Sequence, residues 1–425
     1  MLAIQCVKSV PAWLLLKALG RRLPRLYIGR LSLIRPRDVA QPELPTPRWA
    51  RVRPLLSGIC GSDLATITAA GSPFFAPLTS FPFTFGHEVV GTVVETGSEV
   101  RGVQVGDRVV VEPALHCGVR GLDPPCAACQ QGHYGNCTNV TVGDIGPGVQ
   151  TGYCRDTGGS WSLSLVAHDI QLHKVPNAVS NESAVLMEPF SCALHGVLRA
   201  LGTRYPVPAL GAGLLTPTRP ILIVGCGTMG LLTIAALRAL DVPCRIIAWA
   251  KHGHQQDLAK KLGADDVQPV GMASYAELCK RGGATLHQPE IGGPTVLGGF
   301  EVVFDCVGSA KSLDDAVRFT RERGTTILVG MPGIPKSVDW TTIWYKELQI
   351  LGTYAYGMED VAGERLRTFE LALRLIRDGR VRLEPLVTHK FPLVEYRQAI
   401  RCALLTGSRR SVKTVFDFTR ISEQR

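Results

Sequence analysis

Four cysteines, Cys117, Cys126, Cys129 and Cys137, fall within 21 residues laced with Gly and Pro. Such a cluster can form disulfides, a redox dithiol or a metal cage. The chain holds 13 cysteines, an odd number that argues against a fully paired disulfide framework. The early apolar run Pro11–Leu16 is short, is followed by Lys17 and lacks a small-residue cleavage site. No segment reaches the ~18 apolar residues that span a bilayer. The chain is therefore expected to be soluble and cytoplasmic, with no membrane partner. In a reducing compartment clustered cysteines are more often metal ligands than disulfides. Three further pieces carry the ligand types of a catalytic zinc, which takes three protein ligands and keeps one position open. They are Gly58-Ile-Cys-Gly-Ser-Asp63, Gly86-His-Glu-Val-Val-Gly91 and Met187-Glu-Pro-Phe-Ser-Cys192, and each is weak alone.

The elements that must position these residues change character along the chain. The first ~180 residues read as short alternating strands and turns. Phe85–Glu95 is β-branched and alternating, and Val103–Glu112 places a Gly-Asp turn between two strand-like runs. From about Pro220, strand and helix patterns alternate: Ile221–Val224, Leu231–Leu240, Arg245–Trp249, Gln255–Leu262, Phe300–Cys306, Lys311–Arg321 and Thr325–Val329. That order predicts a doubly wound parallel sheet. Two Gly/Pro-rich stretches, Thr203–Arg219 and about Arg281–Gly299, read as surface insertions.

Gly225-Cys-Gly-Thr-Met-Gly230 follows a strand and opens a helix, the context that gives a G-x-G-x-x-G pattern its meaning. Gly225 would permit the tight turn, Gly227 the approach of a pyrophosphate, and Gly230 close helix packing, with Thr228 and Met229 at the helix N-terminus. An NAD site usually carries an acid about 20 residues on. Here the second strand ends at Ala250, followed by Lys251 and His252. A carboxylate would repel a 2′-phosphate and Lys251 would attract it, so NADP(H) is expected over NAD(H).

At 425 residues the chain predicts two or three domains. Its net charge of +10 is scattered, with no block of five like charges, so the excess reads as a solvated basic surface rather than a nucleic-acid site.

In this order, with the downstream glycine fingerprint, the pieces resemble the zinc-dependent medium-chain dehydrogenase/reductase family, nearest its threonine, polyol and sugar dehydrogenase branch. The resemblance runs from about Leu31 to Phe418. It includes Gly106-Asp-Arg-Val109, Leu262-Gly-Ala-Asp265 and Glu347-Leu-Gln-Ile-Leu-Gly352. Residues 1–30 have no clear counterpart. The resemblance implies a GroES-like catalytic domain over 1–185, a Rossmann nicotinamide-cofactor domain over 186–352, and a return segment over 353–425 completing the first. It also implies a homodimer or homotetramer. Cys60 and His87 match zinc ligands and Glu188 the third. Glu88 matches a carboxylate that lies behind the metal or moves onto it. Cys192 and His195 share a helix face with Glu188, and inward packing accounts for both. The family often holds a second, structural zinc through cysteines spaced C-x2-C-x2-C-x7-C. Cys126, Cys129 and Cys137 match the last three, whereas Cys117 lies eight intervening residues upstream. Four thiolates make a closed site that staples a loop. A Cys126/Cys129 redox pair fits poorly, because these residues do not open a helix after a strand.

The implied reaction is reversible hydride transfer between an alcohol and a carbonyl, the substrate being a small molecule such as a polyol, sugar or amino alcohol. Ser62 matches the family's proton-passing hydroxyl. The histidine often found three residues later is Ala65 here, so the proton must leave through water, Asp63 or a cofactor ribose. The segment Gly152–Trp161 reads as a structural turn, although Arg155 and Asp156 could reach a polar substrate. The alternative class is a zinc-independent quinone or enone reductase, or a non-catalytic relative; the Cys60/His87/Glu188 set argues against both.

Overall fold

The computed structural model describes residues 1–202 and 220–419, so the expected insertion Thr203–Arg219 lies outside the described residues. The chain divides into two compact units. The first comprises Met1–Glu188, Tyr356–Met358 and Phe369–Arg425; the second comprises Pro189–Ala355 and Glu359–Thr368.

The first unit is built on a seven-strand sheet. Its spatial order is Val387–Phe391, Lys413–Asp417, Trp49–Gly58, Val89–Thr96, Arg108–Val111 and Leu172–Lys174, with Leu165–His168 pairing the first half of Trp49–Gly58. The long strand Trp49–Gly58 organises the sheet, and both its faces are covered: Trp49 packs into one core and Ala50 and Val52 into another. Of the two strand-like runs expected around Gly106-Asp107, only the second forms. Gln104 and Asp107 close a tight turn, with the Gln104 N–H donating to Asp107 Oδ2 at 2.8 Å, and Val105 is left exposed.

The first 30 residues belong to this unit. Leu2–Cys6 pairs antiparallel with Ile34–Asp38 and touches Phe83–Thr84. Helix Val10–Leu19 follows, with Ser9 Oγ capping the Ala12 N–H and a proline in its first turn. Ile4, Cys6, Leu16, Tyr27 and Ile28 join one core with Phe85, Trp161 and Phe416. The apolar run Pro11–Leu16 is thus an ordinary half-packed helix, and no helix among the described residues is long and apolar enough to cross a membrane.

The second unit is a six-strand parallel sheet ordered Asp266–Pro269, Ile246–Ala250, Ile221–Val224, Phe300–Asp305, Thr320–Leu328 and Gln349–Gly352. Numbered along the chain, this is the 3-2-1-4-5-6 order of dinucleotide-binding folds. Helices Thr228–Ala239, Gly253–Lys261, Ala273–Gly282 and Ala310–Phe319 supply crossovers. The stretch Arg281–Gly299, expected as a loop, contains a hairpin of Thr285–His287 with Thr295–Leu297. Val296 is the reason: it is 2% exposed and packs with Phe300 and Phe319.

Candidate active site

In the first unit, the backbone of Gly58–Cys60 runs from the long strand into helix Gly61–Ile67. Asp63 sets that entry, since its Oδ2 accepts the Cys60 N–H at 2.9 Å. His87 and Glu88 precede the neighbouring strand Val89–Thr96, and the Gly58 N–H donates to the Glu88 carbonyl at 2.8 Å. Strand pairing therefore brings Cys60, His87 and Glu88 together, and their ligand atoms all lie within 4.8 Å of one another. A Cβ on Gly58 would fall 1.8 Å from Glu88 Oε2, so only glycine admits that carboxylate. Glu188 does not join this mutual cluster, although its charge acts on His87.

The field at this site is negative. His87 is 3% exposed and its Nδ1 has no hydrogen-bond partner, with Asp63 Oδ1 3.7 Å away. Burial would lower the His87 pKa, but Asp63, Cys60 and Glu188 outweigh it and raise it to about 10. Asp63 itself is pushed up to about 6 by complete burial, which His87 opposes. A half-buried thiol with a buried imidazole and buried carboxylates, which together draw in positive charge, form a donor set suited to a divalent ion. Two side chains that motif reading did not single out complete the surroundings. Lys413 lies on strand Lys413–Asp417, 2.5 Å from Glu88 Oε2 and 2.6 Å from Oε1, and donates to the Ile59 carbonyl at 3.2 Å. A lone lysine in a β-branched, aromatic run was the available signal. Tyr153 lies beside His87, with ring centroids 6.0 Å apart.

Ser62 Oγ is 3.5 Å from His87 Nε2. Asp63, considered above as a proton exit, is fully buried and committed to the Cys60 N–H, so it is a poor route to solvent. Asp156 is likewise occupied: its Oδ2 accepts the Gly146 N–H at 2.6 Å, and Arg155 is exposed beside it. The turn reading of that segment accounts for both. His195 Nδ1 meets Glu359 Oε1 at 2.7 Å within the second unit, which explains its inward face without a metal. Cys192 is half-buried on the same helix.

A second donor cluster contains Cys117, Cys126, Cys129 and Cys137, again with all ligand atoms within 4.8 Å. Cys117 Sγ lies 3.7 Å from Cys137 Sγ and accepts the Cys126 N–H at 3.3 Å and Asn139 Nδ2–H at 3.4 Å. The long insert returns because Arg120, fully buried, ties it down. Its guanidinium donates to the carbonyls of Leu115, Val142, Ile145, Gly146 and Gly148 at 2.7–3.2 Å. Burial pushes the Cys129 and Cys137 thiols up, whereas N–H bonds from Thr138 and Cys129 hold Cys126 down against its burial. Four sulfurs gathered this closely are a donor set that could close around a metal ion, the arrangement a structural zinc requires.

In the second unit, Ile221–Val224 delivers the glycine turn. Gly225 has φ +85°, and a Cβ on Gly230 would lie 1.9 Å from the Gly225 carbonyl oxygen. Gly227 caps helix Thr228–Ala239 and faces open space, leaving the N–H groups of the first turn accessible to an anion. The turn abuts Val307, at the end of Phe300–Asp305, so it marks the point where strand order reverses. Strand Ile246–Ala250 ends as expected without an acid; Lys251 is exposed, and His252 stacks on His254 with centroids 5.7 Å apart.

A GroES-like unit bearing two zinc-type donor sets, in one chain with a dinucleotide-binding sheet, defines a zinc-containing, nucleotide-linked dehydrogenase class. Residues 46–177 match the alcohol dehydrogenase GroES-like domain, and residues 228–375 match the zinc-binding dehydrogenase family. The chain is 30% identical to L-idonate 5-dehydrogenase of Vitis vinifera, covering 81% of each chain. It is 28% identical to sorbitol dehydrogenase of Arabidopsis thaliana, covering 87% of this chain and 89% of the other. It also superimposes on the crystal structure of 2R,3R-butanediol dehydrogenase from Bacillus subtilis with TM-score 0.65 and 27% identity, covering 90% and 96%. The chain belongs to the zinc-containing medium-chain dehydrogenase family, and is an alcohol dehydrogenase-like oxidoreductase linked to NAD(P).

Proposed function

We propose that this enzyme interconverts a hydroxyl of a polyol, sugar or amino alcohol with the corresponding carbonyl, using NADP(H) in preference to NAD(H). The observation that carries this reading is the clustered Cys60–His87–Glu88 donor set, its imidazole and carboxylate buried, in a chain with a glycine turn fit for a dinucleotide. The polyol and sugar chemistry of the two plant relatives supports the substrate class. Cys60 and His87 would hold the catalytic zinc with Glu188 as the third ligand. Glu88, tied to Lys413, would stay behind it as a charge that balances the site. Zinc, when bound, supplies a Lewis acid that polarises the substrate oxygen. Ser62 would take the hydroxyl proton at Oγ, which lies 3.5 Å from His87 Nε2. Gly225, Gly227, Thr228, Met229 and Gly230 would seat the pyrophosphate, with Lys251 and His252 toward the adenosine ribose. Cys117, Cys126, Cys129 and Cys137 would hold a structural zinc.

The test is a panel of polyols, sugars, amino alcohols and aldehydes, followed by cofactor absorbance, with His87→Ala and Cys60→Ala alongside. The wild type should turn over at least one member, and both variants should lose turnover while still binding cofactor. Full turnover by a variant stripped of metal would reject the zinc-dependent reading in favour of the quinone-reductase type.

A further inference from the structure

Counted by segment, the positive charge of the chain is uneven. Residues 1–37 hold eight Lys and Arg and no Asp or Glu, so they carry +8 of the net +10. Arg35 is turned inward on the carbonyls of Ser32 and Ile34, and Lys17 donates to the Ala69 carbonyl at 3.2 Å. Arg21, Arg22, Arg25 and Arg30 are exposed and meet no carboxylate among the described residues.

The helix inside this segment is apolar on its outer side. Helix Val10–Leu19 buries Leu16 and half-buries Ala12 and Trp13 against the core. A helix that met only water on its other side would be polar there. That side instead carries Val10, Leu14 and Ala18, spaced i, i+4 and i+8 and all exposed. Val10 and Leu14 are each more than half exposed, as is Leu23 just past Arg21 and Arg22. The segment is fixed rather than loose. Tyr27 and Ile28 sit in the core, Arg397 Nε donates to the Ile28 carbonyl at 3.2 Å, and a Cβ on Gly20 would meet Tyr27 Cε1 at 2.4 Å. The helix end therefore lies directly on the turn Pro24–Ile28, and the apolar stripe and the arginines are presented together.

We propose that helix Val10–Leu19 and the basic turn after it dock this protein on an anionic phospholipid surface. Val10, Leu14 and Leu23 would enter the boundary of the acyl chains, and Arg21, Arg22 and Arg25 would meet the lipid phosphates. Charge complementarity selects the partner: a segment with eight cations and no acid calls for an anion, and the exposed Val and Leu call for an apolar phase beside it. A nucleic acid would use the cations and leave the apolar stripe in water. The lack of a spanning helix bears on crossing a bilayer, not on lying along one.

The test floats the full-length, zinc-loaded protein with vesicles of phosphatidylcholine alone or with about one-third phosphatidylglycerol. The protein should rise with the anionic vesicles, stay behind with the neutral ones, and detach as salt approaches about 0.5 M. Val10→Ser with Leu14→Ser should weaken binding at least about tenfold without lowering the melting temperature. Arg21→Gln with Arg22→Gln should weaken it roughly 10- to 30-fold, and this pair decides the matter if the serine pair loosens the segment. A wild type that ignores anionic vesicles, or binding that survives either pair undiminished, overturns the proposal. Retention of duplex DNA without vesicle binding also overturns it and assigns the charge to nucleic acid.

Discussion

The Lys413 ammonium lies 2.5 Å from Glu88 Oε2, and both side chains are at most 3% exposed. The two residues are 325 positions apart in sequence. Burial alone would push Lys413 down, but Glu88 and Cys60 more than offset it and hold the ammonium above its ordinary value. Because the pair is fully desolvated, removing one partner strands a buried charge. Lys413→Met should destabilise the first unit by about 3–5 kcal/mol, read as a lower urea midpoint. Lys413→Arg, which keeps the charge, should lose less. Equal losses in both would show that packing, rather than charge, explains the site.

The displaced cysteine gives a second prediction. Cys117→Ser should lower metal content by about one zinc per chain, as should Cys126→Ser, because three thiolates cannot close a tetrahedral site. Metal analysis and the melting temperature check this together. A Cys117→Ser protein that keeps its full zinc load would leave Cys117 outside the cage.

Cofactor preference supplies a third. Lys251 follows an acid-free strand end, and a charge-assisted contact to a 2′-phosphate is typically worth about 1.5–3 kcal/mol. NADP(H) should therefore be preferred at least about tenfold in kcat/KM, most clearly at low salt. Ala250→Asp with Lys251→Ala should reverse the order. A wild type that prefers NAD(H) would place the ribose away from this turn.

A fourth prediction concerns pH. Lys346 in the second unit is 3% exposed and donates to the carbonyls of Arg318 and Thr320 at 2.8 Å. Burial lowers its pKa to about 8, with Glu322 opposing. In the unfolded chain it returns to about 10.4. Between these values the unfolded chain binds the proton that the native state has released, so this lysine's contribution to stability rises with pH. The stability of wild type relative to Lys346→Met should grow between pH 8 and 10 by up to roughly 3 kcal/mol. A flat difference across that window would mean the carbonyls keep Lys346 charged.

Much of the chemistry was readable because it is local. The glycine turn, the strand before it and the helix after it are one contiguous segment, and Gly230 must be glycine because the backbone of Gly225 passes under it. Cys126, Cys129 and Cys137 are close in sequence, and the motifs around Cys60 and His87 announce their own ligand types. Strand–helix alternation likewise carried the parallel sheet, since each element's burial pattern repeats within its own span.

What only the tertiary structure decided are the partnerships made across long separations. Val296 turned an apparent loop into a hairpin because a distant core needed an apolar group. Residues 1–30 found their place because Leu2–Cys6 adds a strand beside Ile34–Asp38 and feeds the core around Trp161. Cys117 reaches its three partners because Arg120 gathers five carbonyls from both sides of the insert. Glu88 meets Lys413, and Tyr153 meets Thr66, through strand pairing and loop closure. Sequence spacing encodes which side chains share one face of a helix or strand. It does not encode which faces meet, because that choice is made by burial and hydrogen bonding summed over the whole unit.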